Sequence, residues 1–462
     1  MRLRTIIGAF AATACTAGVM MMMPSIPAGT PPFLSWTVSM KDAHLACVEG
    51  ECAVTGDLSR RFPFSPPVTG TGKPLEPIGL EAFDRAGHPL GIRRTLEGWE
   101  IESGGSDFTM RYDVVLTIED RYSPEVRGMI SRVAGDRSRL MGRDLFLLPG
   151  RPVAAGMCVD HRLYAGGATA SSALTSGGRV IVPDREDLPA SFVVSGDYRV
   201  LTATARGVEL VLAVGGRWRF GDDELLRVIG DVSDAGIGIF GSSPFDRHLF
   251  VCDPNPVRGG KGFDYYGVHF GSTVLLLFDP AMDRSALLDD PMAIVAHEFI
   301  HAWNGETLRP RDDSSMWFTE GATVWCSYLV LQKAGVITSG QYEAIRARIG
   351  ERLGRNRYLG TVPLCRAGNG DLADKEMVGL LYDGGFVAAE ALDKRIASAS
   401  GGTRGLADLL RRLYEAHPGG AEIGEREIAE AASAVAGCDL SEFIAGLIRD
   451  PGGLAGEADA AS

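Results

Sequence analysis

Two histidines four residues apart, with a glutamate a fixed distance downstream, constrain this chain more than any other feature. The run His297-Glu298-Phe299-Ile300-His301 is followed, after 18 intervening residues (302 to 319), by Glu320. On a helix, residues at i and i+4 share one face, about 6 Å apart at the surface. The flanking residues predict that helix. Asp290 is a good N-cap, Pro291 suits the first helical position, and Gly305 suits a left-handed stop after Asn304. Ser314 or Ser315 is expected to start a second helix that runs to Lys333 and stops at Gly335. Glu320 then falls in its early turns, facing the first helix.

Two imidazoles and one carboxylate are the donor set of a zinc site that keeps its fourth position open, which is the catalytic arrangement. His297, His301 and Glu320 are therefore the expected Zn2+ ligands. Glu298, next to His297, is expected to flank the metal and act as general base for an attacking water. Zinc lowers the pKa of such a water to about 7, so the pattern predicts hydrolysis of a carbonyl substrate, a peptide bond above all.

The rest of the chain supplies the setting. It has 462 residues and a net charge of −13, which disfavours nucleic acid or anionic membrane surfaces as partners. Arg2 and Arg4 followed by an apolar stretch to Met23 predict a signal segment over residues 1–28 and export to the periplasm or medium. An uncut N-terminal anchor, or lipidation at Cys15, is the route by which a membrane would enter. Among the eight cysteines, Cys47 and Cys52 are close enough to bridge across a tight turn in an oxidising compartment, and most of Cys158, Cys252, Cys326, Cys365 and Cys438 are expected to be buried small hydrophobes. His44, His88 and His161 have unrelated surroundings and are not expected to be ligands. The glycine-rich run 258–262 lacks the Gly-Lys-Ser/Thr of a phosphate cradle.

Short alternating segments separated by Gly/Pro turns predict a β-sandwich-like domain over residues 34–216. The period then changes, and a mostly helical domain is expected over 217–450, opening with a helix capped by Asp222. One edge strand is expected over 265–278, ahead of the metal-site helix. The Gly/Ala/acidic segment 451–462 is expected to be disordered. The fold class is thus α+β.

The residues resemble the glycyl aminopeptidase family of gluzincin metallopeptidases. His297 to Asn304 and Leu308-Arg309-Pro310 look like that family's zinc helix and its exit. Trp317-Phe318-Thr319-Glu320-Gly321 looks like its third-ligand segment, and Leu381-Tyr382-Asp383-Gly384-Gly385 like its Tyr-x-x-Gly helix. The segment 406–448 resembles the closing helices of its catalytic domain. The resemblance implies a thermolysin-like catalytic domain behind an N-terminal β-domain, without the usual C-terminal PDZ domain. It implies that Tyr382, 62 residues beyond Glu320 (382 − 320), stabilises the oxyanion. It also exposes two departures. Val268 stands where the family has the glutamate thought to hold the substrate's free amine. Val324 stands where it has an aspartate that orients a zinc histidine. These imply altered aminopeptidase specificity, with a non-catalytic peptide-binding relative as the alternative.

Overall fold

The computed structural model describes residues 33–41, 45–53, 61–116, 128–150, 154–159, 168–171, 175–176, 179–182, 188–255, 265–288, 290–370 and 374–461. The signal segment, Cys15, His44, His161 and the run 258–262 lie outside them. The fold is α+β, strands first and helices after.

Upstream, a seven-stranded sheet has the order Thr175–Ser176, Arg179–Val182, Ala154–Val159, Phe33–Met40, Leu45–Ala53, Phe108–Val115, Ile78–Asp84. Phe108–Val115 shows why it forms: Phe108, Met110, Tyr112 and Val114 point inward, and the residues between them point out. Trp36 sits at the centre of this core, stacked on Phe146 with ring centroids 5.2 Å apart. The buried Tyr112 hydroxyl donates to Leu145 O (2.9 Å) and accepts from Leu147 N (3.0 Å). The Cys47–Cys52 bridge is not formed. Both residues lie on the single strand Leu45–Ala53. Five residues of extended chain separate them by about 17 Å, far beyond disulfide reach.

The boundary expected at residue 216 moves upstream. Tyr198–Ala205 (β1) and Val208–Gly215 (β2) form one sheet with Arg247–Pro254 (β3), Tyr265–Phe270 (β4) and Thr273–Phe278 (β5), in the order β1-β2-β3-β5-β4. β2, β3 and β5 run parallel, and β1 and β4 pair antiparallel at the two edges. β2 is buried at seven of eight positions, as a strand covered on both faces must be. That unbroken apolar run, not the alternation of a sandwich strand, marks its place at the centre of this sheet. The single edge strand expected over 265–278 is instead the hairpin β4–β5, turned at Gly271 with φ 52°.

Helices cover one face of this sheet, and a four-stranded sheet containing Arg137–Met141 and Phe192–Gly196 covers the other. Asp253 on β3 ties the two sheets together. Its carboxylate lies 3.4 Å from the fully buried Arg139 and 3.1 Å from the Tyr198 hydroxyl. The first helix, Asp222–Phe240 (α1), begins with Asp222 already inside it and Gly221 in the cap position. The metal-site helix Asp290–Ile300 (α2) buries Met292, Val295, Ala296, Phe299 and Ile300 against the sheet. The segment 451–462 is not disordered over the residues described. Pro451–Ala461 is helical, with Leu454 and Ala458 buried one turn apart. One of its glycines serves close packing: a Cβ on Gly453 would lie 2.1 Å from Gly446 O on the preceding helix.

Behind α2, His248 is 1% exposed, with its ring 4.9 Å from that of Phe299 and its Nε2 3.0 Å from Ser243 Oγ. Burial pushes its pKa from 6.5 down to about 3, partly opposed by a hydrogen bond to the Ser272 backbone. Below about pH 6.5 the unfolded chain therefore takes up a proton that the folded chain refuses. Stability should fall by about 1.4 kcal/mol per pH unit from this group as pH drops from about 6.5 toward about 3. Urea unfolding at pH 7 and pH 5 should show that slope, and His248→Gln should flatten it.

Candidate metal centre

α2 carries His297 in its last turn, and His301, just beyond its end, continues the same face, with the two Nε2 atoms 2.9 Å apart. The helix gives way after Ile300 to a wider turn over Ala302–Thr307, where Asn304 and Gly305 leave helical conformation. The bend brings the Asn304 carbonyl back under His301, whose Nδ1 donates to it at 2.8 Å. That bond fixes the tautomer and leaves the Nε2 lone pair facing the cluster. Gly305 is needed at this bend, since a Cβ there would sit 3.0 Å from His301 Nδ1.

Glu320 arrives on a different element from the one expected. The chain turns at Asp313–Ser315, where Asp312, not a serine, accepts from Ser314 N. Glu320 then lies in a π-helical turn, Trp317–Ala322, before the regular helix Thr323–Lys333 (α3) begins. Single π turns recur at functional sites because they rotate one side chain out of the α register. The Asn304 amide holds this turn: Nδ2 reaches Phe318 O (3.0 Å), Thr319 O (3.2 Å) and Thr323 Oγ1 (3.1 Å).

Glu320 Oε2 ends 3.3 Å from His297 Nε2 and 3.5 Å from His301 Nε2. That oxygen is buried, with no hydrogen-bond partner of good geometry among the described residues. Burial alone would raise this carboxyl, but the two imidazoles hold it well below the usual carboxylate range. Burial alone would lower His301, but the facing Glu320 and Glu298 carboxylates raise it to about 9. Two nitrogens and an oxygen thus converge with their lone pairs on one point and only a proton to share there. The donor set fits a divalent zinc ion, which would displace that proton.

Glu298 lies on the same helix, one residue from His297. Burial opposes its ionisation, but His269, His297 and His301 keep its pKa below the ordinary value. Tyr382 lies in a second π turn, Leu380–Gly384, which leads into Gly385–Ala399 (α4). Its ring centroid is 5.9 Å from that of His297. Burial, then the Glu320 and Glu298 carboxylates, push its phenol well above the normal range, so it stays a donor. Two glycines bring these turns together. A Cβ on Gly321 would fall 2.2 Å from Gly385 Cα, and one on Gly385 would fall 2.7 Å from Gly321 Cα. The five residues singled out from sequence, His297, Glu298, His301, Glu320 and Tyr382, therefore meet in one place.

The two valines also have their places. Val324 is half-buried against the helical core, and His301 takes its orientation from the Asn304 carbonyl. Val268 is 8% exposed and packs with Phe192 and Leu275, on the face of β4 turned away from α2. Three contributors escaped the sequence reading: Asn304, His269 and the Gly321/Gly385 crossing. Asn304 was legible only as a helix end, and His269 only as a strand residue.

Fold and donor set together give a strand-rich part followed by a helical part, with a candidate metal site of two histidines and a glutamate. Residues 247–352 match the Peptidase family M1 domain. The fold is similar to that of an aminopeptidase N family protein from Idiomarina loihiensis, with a TM-score of 0.69 and 17% identity over 90% of this chain and 76% of that one. It is also similar to an M1 zinc metallopeptidase from Deinococcus radiodurans, with a TM-score of 0.54 and 15% identity over 91% and 93% of the two chains. A mutant of that enzyme has been solved bound to a Tyr-Ser-Ala substrate. At these identities the likeness is one of fold, and it does not reach the glycyl aminopeptidase family in particular. No curated protein matches the chain.

Asn304→Ala removes the amide that holds the Glu320 turn while keeping the carbonyl under His301. It should weaken zinc retention about 10–100-fold, measured by competition with a chelator.

Proposed function

We propose that the chain is a zinc metallopeptidase that hydrolyses peptide bonds by attack of a water activated between the metal and Glu298. The reading is carried by one observation: His297 Nε2, His301 Nε2 and Glu320 Oε2 converge within 4.8 Å beside an ionised carboxylate. The match of residues 247–352 to the Peptidase family M1 domain supports it.

His297, His301 and Glu320 would hold zinc, which supplies a Lewis acid for the carbonyl and a water acidified to about pKa 7. The remaining work falls to the protein. Glu298, kept ionised, takes a proton from the attacking water and returns one to the leaving amine. Tyr382, kept protonated, donates to the oxygen on which charge builds as the carbonyl carbon becomes tetrahedral. β4 is the edge strand of its sheet among the described residues, so its outer backbone is available to an extended peptide. Altered aminopeptidase specificity is part of the same proposal, supported by the valine at position 268 where the resemblance to glycyl aminopeptidases implies a glutamate. Arg2, Arg4 and the apolar stretch after them support export as part of the same proposal.

Purified protein should hold one zinc per chain and cleave members of a peptide library. Comparing free and blocked N-termini in that library separates terminal from internal cleavage. Glu298→Gln should keep the zinc and lose turnover, whereas wild-type rates in that variant would remove Glu298 from the mechanism. Tyr382→Phe should lower kcat by about 10²–10³-fold with little change in KM, the signature of a group acting on developing charge.

A second reading, a peptide-binding relative without turnover, is favoured by Val268 and Val324. Zinc-dependent cleavage by the wild type rules it out, and zinc-loaded protein that binds peptides without cutting them establishes it.

A further inference from the structure

β4 lies directly against α2, and its alternation sorts its residues onto two faces. Tyr266, Val268 and Phe270 turn toward the upstream sheet. Gly267 and His269 turn toward the metal-site helix, and both touch Glu298. A Cβ on Gly267 would sit 2.8 Å from Glu298 Cγ and 2.3 Å from Ile294 Cγ2, so the strand presses on the stem of that side chain. Two residues on, His269 Nδ1 lies 3.3 Å from Glu298 Oε2.

His269 is itself held on three sides. Its Nε2 lies 3.6 Å from Glu306 Oε1. The same Glu306 oxygen accepts Gly271 N at 2.8 Å, which locks the carboxylate to the β4–β5 turn. The flat side of the His269 ring stacks on His301, with centroids 4.5 Å apart and planes 26° from parallel. His269, Glu298 and His301 also form a group whose ligand atoms lie within 4.8 Å of one another. That group cannot be filled together with the first. His301 has one Nε2 lone pair, and its Nδ1 is committed to Asn304. His269 has a carboxylate beside each nitrogen, within hydrogen-bond distance at Nδ1 and slightly farther at Nε2.

We propose that His269, braced by Glu306, is a positioning residue for Glu298. It holds Oε2 of the base while Gly267 fixes the stem, so that the carboxylate keeps one orientation in the cleft. This rests on the zinc-peptidase reading, in which Glu298 is the base. A glutamate has three side-chain torsions, and a base must meet its proton within hydrogen-bond reach. Removing the brace therefore costs rate more than substrate binding.

The test compares His269→Ala, His269→Asn and Glu306→Ala with the wild type and with Glu298→Gln, all loaded with zinc. His269→Ala should keep one zinc per chain and a KM within about threefold, while kcat falls about 10–100-fold, the usual cost of an orienting partner at such a site. His269→Asn places an amide N–H near the position of Nδ1 and should recover most of that loss. Glu306→Ala should lower kcat alone, and should lower it no further when added to His269→Ala. A kcat for His269→Ala within twofold of wild type overturns the proposal.

A readout independent of activity comes from crystal structures of the metal-free wild type and His269→Ala. The Glu298 carboxylate should be turned to His269 in the first and displaced or spread over several rotamers in the second. An unchanged rotamer overturns the proposal whether or not the protein cleaves peptides. Failure of the wild type to cleave, or turnover by Glu298→Gln, counts against the underlying function instead.

Discussion

One asparagine couples the two halves of the donor set. The Asn304 carbonyl receives His301 Nδ1, and its side-chain amide reaches three acceptors around the turn that carries Glu320. The residue is 1% exposed, so none of these groups has water as an alternative partner. An unpaired buried polar group costs about 1–3 kcal/mol, and here one residue's position decides whether several are paired. The arrangement is therefore close to all-or-none: with Asn304 in place, a histidine from one segment and a glutamate from another are held in fixed relation.

The wide turns around the site follow from the same demand. A regular helix through Trp317–Ala322 would place Glu320 by the α repeat alone, with no freedom to match histidines on another helix. The π turn adds that freedom, and it leaves carbonyls that the Asn304 amide takes up. Leu380–Gly384 does the same for Tyr382. The two turns approach closely only because Gly321 and Gly385 lack side chains where they cross. The metal-site helix α2 stays regular through His297 and needs no such device, since the i, i+4 spacing already brings its two imidazoles together.

This division explains what the sequence made legible. Local periodicity governs α2, so its ligands, its base and its cap region could be read from spacing. The strands over 108–115 and 208–215 were equally clear as strands. Which sheet Val208–Gly215 joined was not, because parallel pairing with Arg247–Pro254 is a contact between distant segments that neither segment displays alone. Pro451–Ala461 read as disordered because glycine and alanine have low hydrophobicity. In the fold those small residues let one helix lie on the backbone of the one before it. Cys47 and Cys52 read as a bridged pair because sequence proximity was taken for spatial proximity, and an extended strand defeats that. The Asn304 side-chain amide, His269 and the glycine crossing act through contacts between distant segments, so no window of sequence could have assigned them.

The two faces of β4 have separate partners. Gly267 and His269 face the helix and bear on Glu298, whereas Val268 faces the upstream sheet beside Phe270. Over Phe270 lies the Arg143 guanidinium, 4.8 Å from the ring centroid, so this face offers a cation and apolar surface in place of a carboxylate. Because adjacent strand residues point in opposite directions, position 268 lies on the other face of the strand from the contacts at 267 and 269. A valine at position 268 is thus no argument against Glu298, whose contacts come from the opposite face of the strand.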